Sequence, residues 1–599
     1  MHKRLTRSEV PIEVTWQLED MFSSTEVWDA ELKALLKDVH TVTQYKGQLH
    51  QDSATLLACL EKLVVLKERI SRAGAYGQLR YTEDSTSPVN QANHTKAKDV
   101  LAQLNAELSF FKSELLALPA GTIERYLDEQ PELHVFGKFL RDNLATKAHQ
   151  LSPETEAALA ALGGVLNAPY SIYLKGKLSD MTFASVQDGE DNVRPVSFAL
   201  YEGNYAMSSD TKLRREAYQS FSQTLHVYQN TFAETYANEV KKQVVLSRLR
   251  NYPSVTEMLL QDQDVTLDMY NNILDIIQTD LAPHMRRLMK LKQRVLGLEK
   301  MTFSDLKAPL DPAYSPHVSY EEACSLIEEA LQVLGPEYTE VVQQAFTQRW
   351  VDYADNVGKS TGAFCSSPYG SHPYILISWA NNMRGAFTLA HEVGHAGHFV
   401  LAHRNQNVLN ARPSLYFIEA PSTMNEMLLA QHLLNKSDNP RMKRWVILQL
   451  LNTHYHNFVT HLLEGEMQRR VYDAAMKDEP ITAKKLSALK GDILSSFWGD
   501  AVEIDEYASL TWMRQPHYYM QLYPYTYAAG LTASTAAASL IRDQGQPAVD
   551  RWLSALKAGG TLSPLELMKL AGVDMATEQP IKAAVQYVGS LVDELEKLY

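Results

Sequence analysis

The sequence predicts a mainly α protein with a small β element set against one motif-bearing helix. Three observations carry this expectation. Long stretches repeat apolar residues every three or four positions with charges between them, over 23–174, 210–249 and 267–296. Only two short stretches, 181–200 and 374–379, read as β structure from their β-branched and aromatic residues. The third observation is Phe387-Thr388-Leu389-Ala390-His391-Glu392-Val393-Gly394-His395-Ala396-Gly397-His398. It contains His-Glu-x-x-His, a pattern whose two imidazoles share a face only on a helix.

In chain order, helical periodicity is clearest over 28–39, 54–72 and 97–118, punctuated by Pro88 and Pro119. Ser152 is placed to cap a helix whose first residue is Pro153. Residues 181–186 and 196–200 flank Asp188-Gly189, which predicts a hairpin. That hairpin marks a seam between a helical amino-terminal region, 1–200, and the remainder, 201–599. Residues 358–370 are rich in Gly and Ser and read as a loop. Tyr374-Ile375-Leu376-Ile377-Ser378-Trp379 follows as a short strand just before the histidine motif. Its edge would pair with an extended peptide, making Ile375 and Ile377 candidates for substrate binding; an ordinary core strand fits the pattern equally well.

Composition narrows the function classes. At 599 residues the chain exceeds the usual single-core limit, so several domains or one large cleft-bearing body are expected. A net charge of −14 argues against general nucleic-acid binding, which needs a basic face. Three scattered cysteines, Cys59, Cys324 and Cys365, offer neither a disulfide framework nor a CxxC metal site, pointing to a reducing compartment. No apolar run approaches twenty residues, and the basic start lacks an apolar segment behind it. A cytoplasmic protein with no membrane partner is the simplest expectation.

His391 and His395 lie four residues apart, so one helical face brings both to a single metal ion, with Glu392 beside it rather than on it. A catalytic zinc commonly takes three protein ligands. The metzincin completion requires Gly at 398 and His at 401; this chain has His398 and Leu401, so it fails. Glu419, twenty-four residues beyond His395, suits a ligand from a following helix. His398 lies one turn too far along the axis to share the ion and is expected in a structural or supporting role. His403 is expected at the surface. Glu426, seven residues after Glu419, would accept the outer N–H of a ligand histidine, or would simply be solvated or paired in the core.

Phe387 to His398, with Ile418-Glu419-Ala420-Pro421-Ser422-Thr423-Met424, resembles the thimet oligopeptidase and oligoendopeptidase F family of zinc peptidases. Thr361-Gly362-Ala363-Phe364, His372-Pro373-Tyr374-Ile375-Leu376 and, more loosely, Tyr201-Glu202-Gly203-Asn204-Tyr205 are similar to the oligoendopeptidase F branch. The resemblance implies a large, two-lobed helical body enclosing a deep channel, with a gluzincin-type zinc helix. It implies one zinc per chain on His391, His395 and Glu419, and hydrolysis of internal bonds in short oligopeptides by a metal-activated water with Glu392 as general base. It also directs attention to His517, Tyr523, Tyr525 and Tyr527, which would otherwise read as an aromatic packing strip. By resemblance, His517 and Tyr527 reach the substrate carbonyl, and Tyr523 and Tyr525 line the substrate. A zinc carboxypeptidase or dipeptidyl carboxypeptidase would use the same centre but grip a free carboxylate with Arg or Lys. A zinc-stabilised binding protein would have no need of Glu392. Side-chain preference and oligomeric state have no signature in the sequence.

Overall fold

The computed structural model describes residues 4–261 and 263–599. Helices carry most of the chain, with five short strands among the described residues. Among the described residues, no helix is long and apolar enough to cross a membrane. The chain forms two compact units, each assembled from three separate stretches. One comprises the chain up to Ala148, Pro316–His432 and Ala537–Val573; the other comprises His149–Ser315, Leu433–Ala536 and Asp574–Tyr599. A single cut near residue 200 does not describe this division, because later segments return to complete each unit.

In the first unit the helices Ser53–Glu83 and Pro88–Ala117 share a core with Thr25–Asp38, including Trp28, Leu32, Leu60, Leu104 and Phe111. Local chemistry sets their ends. The Asp52 carboxylate accepts from Thr55 N at 2.7 Å, and Ser87 Oγ accepts from Asn90 N at 3.3 Å. Pro88 therefore opens a helix at its first position, where a missing N–H costs nothing, rather than breaking one. Ser152 and Pro153 do the same for Pro153–Ala161 in the other unit.

A three-stranded sheet packs on this core, formed by β3 (Val351–Asp352), β4 (Phe364–Ser366) and β5 (Tyr374–Leu376). Strand β5 is central, parallel to β3 and antiparallel to β4, with Cys365 opposite Ile375. Residues 358–370 are thus not wholly loop: their apolar middle pairs with β5, and the glycines and serines fall mainly around it. Lys359 ties this segment down. Its buried Nζ donates to Asp352 Oδ1 at 2.6 Å and to the carbonyls of Ala354 and Ile377 at 2.6 and 2.8 Å.

The second unit is organised around the 39-residue helix Thr211–Leu249, capped by Asp210. The predicted hairpin is present but short, β1 (Val186–Gln187) against β2 (Val193–Arg194). Ser197 explains why it stops, since its side chain caps the helix Phe198–Gly203 where a longer strand was expected. The turn is fastened by the Asp188 carboxylate, which accepts from Asn192 N at 2.9 Å and Arg194 Nε at 2.8 Å.

Candidate metal centre

The histidine motif lies in the helix Met383–Asn405, started by Asn382, whose side chain accepts from Gly385 N at 2.9 Å. This helix packs against Pro336–Thr347, Gln546–Ala558, β4 and β5. Glu419 falls at the junction between Leu415–Ile418 and Ala420–Lys436. Two glycines allow the close approach. A Cβ at Gly394 would lie 2.5 Å from Pro421 O and 2.6 Å from Ser422 Cα, and one at Gly397 would lie 2.6 Å from the Tyr338 ring. The helices are further pinned by Asn425, which donates to Ala390 O at 3.2 Å and accepts from the Tyr338 hydroxyl at 3.1 Å.

The result is a three-donor centre. Glu419 Oε2 stands 3.4 Å from His391 Nε2 and 3.5 Å from His395 Nε2. Two donors bonded to one tetrahedral ion at roughly 2.0–2.1 Å stand roughly 3.3 Å apart, so the spacing fits. The electrostatics couple the same donors. Burial opposes charge on both partners, yet contact with the two histidines holds the Glu419 carboxyl well below its usual range. Likewise Glu419 and Glu426 hold the His391 imidazole well above its own, against the same opposition.

The surrounding groups fix the ligands. His391 Nδ1 lies 2.7 Å from Glu426 Oε1, which makes Nδ1 the proton-bearing nitrogen and turns the Nε2 lone pair to the centre. Ser422 Oγ donates to Glu419 Oε2 at 3.1 Å. Glu392 is only 5% exposed, and burial raises its pKa against the lowering fields of His391 and His395. His398 belongs to no ligand group: it is buried between Phe399 and Phe417, and burial pushes its pKa down to about 3. His403 is half-buried beside Tyr369 and Phe399, not at the surface.

Within the second unit a different cluster gathers around His517. Its ring lies 4.9 Å from that of His461 and 5.7 and 5.9 Å from Tyr523 and Tyr527. Tyr527 stacks on His461 with centroids 4.2 Å apart and planes 14° from parallel. His461 Nδ1 donates to Glu464 Oε2 at 2.8 Å, and its Nε2 lies 3.2 Å from His456 Nε2. Burial works against ionisation of Glu464, yet its histidines hold the carboxyl down to about 2. His517 Nδ1 is buried without a hydrogen-bond partner, 4.0 Å from Glu464 Oε2.

Comparison with known proteins decides the family. A profile of peptidase family M3 matches residues 204–587, and one described as Oligopeptidase F matches 114–183. The chain is 31% identical to Oligopeptidase PepF of Bacillus subtilis, over 99% of this chain and 88% of that protein. The chain belongs to peptidase family M3. It is also 26% identical to an oligoendopeptidase F of Lactococcus lactis, covering 99% of this chain and 98% of the relative. Among solved structures, a candidate peptidase of Chlamydophila abortus aligns over 100% of both chains at 27% identity with a TM-score of 0.91. The oligoendopeptidase-F of Enterococcus faecium aligns over 95% of this chain and 98% of its own at 25% identity, with a TM-score of 0.73. As an M3 peptidase the chain is a metalloendopeptidase acting on peptides.

Three expected substrate contacts of this M3 chain are corrected by its geometry. Ile375 and Ile377 are 0% and 4% exposed, and β5 has a partner strand on each side, so neither the strand edge nor these side chains are open to a peptide. Tyr525 is fully buried; its hydroxyl donates to Gln263 Oε1 at 2.6 Å and its ring meets Tyr270 edge-on. Tyr523 and Tyr527, four apart, remain half-exposed together. Sequence reasoning passed over His456, His461 and Glu464. Three histidines, with His454, within eight residues were the available signal.

Proposed function

We propose that this metalloendopeptidase is a zinc oligoendopeptidase, cleaving internal bonds of short unstructured peptides, with one zinc held by His391, His395 and Glu419. The donor spacing of 3.4 and 3.5 Å around Glu419 Oε2 carries the metal assignment. The names of the PepF and oligoendopeptidase F relatives support the oligopeptide substrate class. Zinc, when bound, supplies Lewis acidity: it lowers the pKa of water and polarises the scissile carbonyl.

The protein's groups supply the remainder. Glu392 takes the proton of the attacking water and returns it to the departing amine; its burial-raised pKa brings it nearer working pH, which suits both transfers. Glu426 holds His391 in the required tautomer and orientation. By family resemblance, His517 and Tyr527 donate hydrogen bonds to the oxyanion, with Tyr523 beside them. The strand expected to align the peptide is replaced by β4, which lies at the sheet edge against the histidine helix and pairs only with β5 among the described residues. Its outer edge offers main-chain groups to an extended substrate. A reducing, cytoplasmic setting belongs to the same proposal, in keeping with three free thiols.

Mass spectrometry of peptide-library digests, with chelator and after zinc restoration, tests the whole reading. Internal cleavage of amide-capped peptides, lost with chelator and regained with zinc, is the expected result. Release only from free carboxyl ends would replace it with a carboxypeptidase.

A further inference from the structure

The second unit contains a cavity of about 100 Å³ in which cationic side chains meet an apolar wall. Lys490, on the helix Ala483–Trp498, lines it and is 4% exposed. Among the described residues its Nζ has no hydrogen bond and no carboxylate oxygen within 4 Å. Glu464, whose field it feels, also lines the cavity, but its Oε2 accepts from His461 Nδ1 at 2.8 Å. Arg514 lines the same cavity. Its Nε donates to Glu202 Oε1 at 2.8 Å and its guanidinium lies over the Tyr201 and Phe221 rings, an arrangement that holds the cation in place. The exposed Lys307 adds a third positive charge to the lining.

An ammonium withdrawn from water without a hydrogen-bonded counter-ion is unfavourable, and burial brings that of Lys490 down to about 8 against the opposing field of Glu464. An occupant that supplies a negative charge relieves this cost; a neutral one leaves it standing. Val459, Leu463, Leu494 and Trp498 provide hydrocarbon surface in the same lining. A fully hydrated inorganic anion would gain nothing from that wall, whereas an aliphatic chain would.

We propose that this cavity binds a small apolar carboxylate, its carboxyl group on Lys490 and Arg514 and its hydrocarbon part against Leu494 and Trp498. The carboxylate is either a free carboxylic acid or the C-terminal residue of a peptide; the second source rests on the oligopeptidase reading above. Calorimetric titration of the full-length protein with N-acetyl-leucine and N-acetyl-leucinamide tests the site without turnover. The acid is expected to bind at least about tenfold tighter than the amide, equally well after chelator treatment, and Lys490→Met is expected to remove that preference. Equal binding of acid and amide, loss of acid binding on metal removal, or full retention in Lys490→Met would overturn the proposal. Should Lys490→Met fail to fold, Leu494→Trp, which fills the cavity, is expected to abolish acid binding, and the wild-type preference is read independently. KM for one peptide as free acid and as amide then separates the sources. A lower KM for the acid that disappears in Lys490→Met assigns the peptide terminus, and equal KM values assign the free acid. Absence of hydrolysis would count against the oligopeptidase reading alone, because the titration needs no turnover.

Discussion

Two clusters in this molecule share a composition of two histidines and one glutamate, with donor atoms within 4.8 Å of one another. They differ in how close the oxygen sits. In the first unit Glu419 Oε2 keeps 3.4 and 3.5 Å from two Nε2 atoms, too far for good hydrogen bonds and right for a shared ion. In the second, Glu464 Oε2 is 2.8 Å from His461 Nδ1, a distance that requires a proton between them, and 4.0 Å from His517. The first histidine pair also has an outside partner in Glu426, which commits the opposite nitrogen of His391 to donation. The second passes its hydrogen bonding from Glu464 through His461 to His456. Residue type makes a cluster a candidate; a few tenths of an ångström and the partner on the far nitrogen separate the proposed metal centre from a hydrogen-bonded relay.

The sharpest way to break this distinction is to neutralise one carboxylate beside the first cluster and one within the second. Glu392→Gln, beside the first, is expected to keep its zinc by elemental analysis and lose on the order of 10³–10⁴ in kcat/KM. Wild-type turnover would remove Glu392 from the mechanism. Glu464→Gln, in the second, is expected to leave zinc content at one per chain; loss of the metal there would erase the contrast. A step smaller, Tyr527→Phe is expected to lower kcat by on the order of 10²–10³ if its hydroxyl meets the oxyanion. Tyr525→Phe instead removes the hydrogen bond to Gln263 Oε1 and costs on the order of 1 kcal/mol in stability with little change in kcat.

Gly394→Ala sharpens the comparison without touching a ligand. Its methyl group would meet Pro421 O at 2.5 Å, displacing the segment that carries Glu419. Zinc affinity measured by competing chelator is expected to fall by about 10–100-fold, the range typical of disturbed ligand support. Unchanged affinity would mean the triad is not held by that approach.

The last effect concerns pH, away from the candidate metal centre. His454 is fully buried, its Nδ1 donates to Leu450 O at 2.8 Å, and burial pushes its pKa down to about 4. A depressed folded-state pKa means the unfolded chain takes up the proton first. The contribution is therefore whole above the unfolded value near 6.5 and is lost progressively as pH falls towards 4, on the order of 3 kcal/mol in all. His454→Leu is expected to flatten the melting temperature against pH across that window. An unchanged slope would show that His454 does not titrate in this way.

Much of the metal centre was legible in the sequence because its geometry is local. Four residues on a helix place His391 and His395 on one face in any context, and Leu401 excludes a third histidine before any folding is considered. Glu419 could be proposed because only one short connection separates its segment from that helix. The helical fold was equally open to reading, since Asp52, Ser87, Ser152 and Asp210 cap helices through atoms three residues away.

Tertiary structure decided what depends on residues distant in sequence. Strand β5 looked like a usable edge until β3 and β4, from ten to twenty-odd residues earlier, occupied both sides. Tyr523, Tyr525 and Tyr527 are alike in sequence, and only the Gln263 contact, some 260 positions away, removes the middle one. Glu426 became the partner of His391, rather than a solvated acid, because Gly394 lets their helices close. The bare ammonium of Lys490 has no sequence signature at all. Whether a buried charge is paired is a sum over every neighbour in space, and local periodicity carries no record of those neighbours.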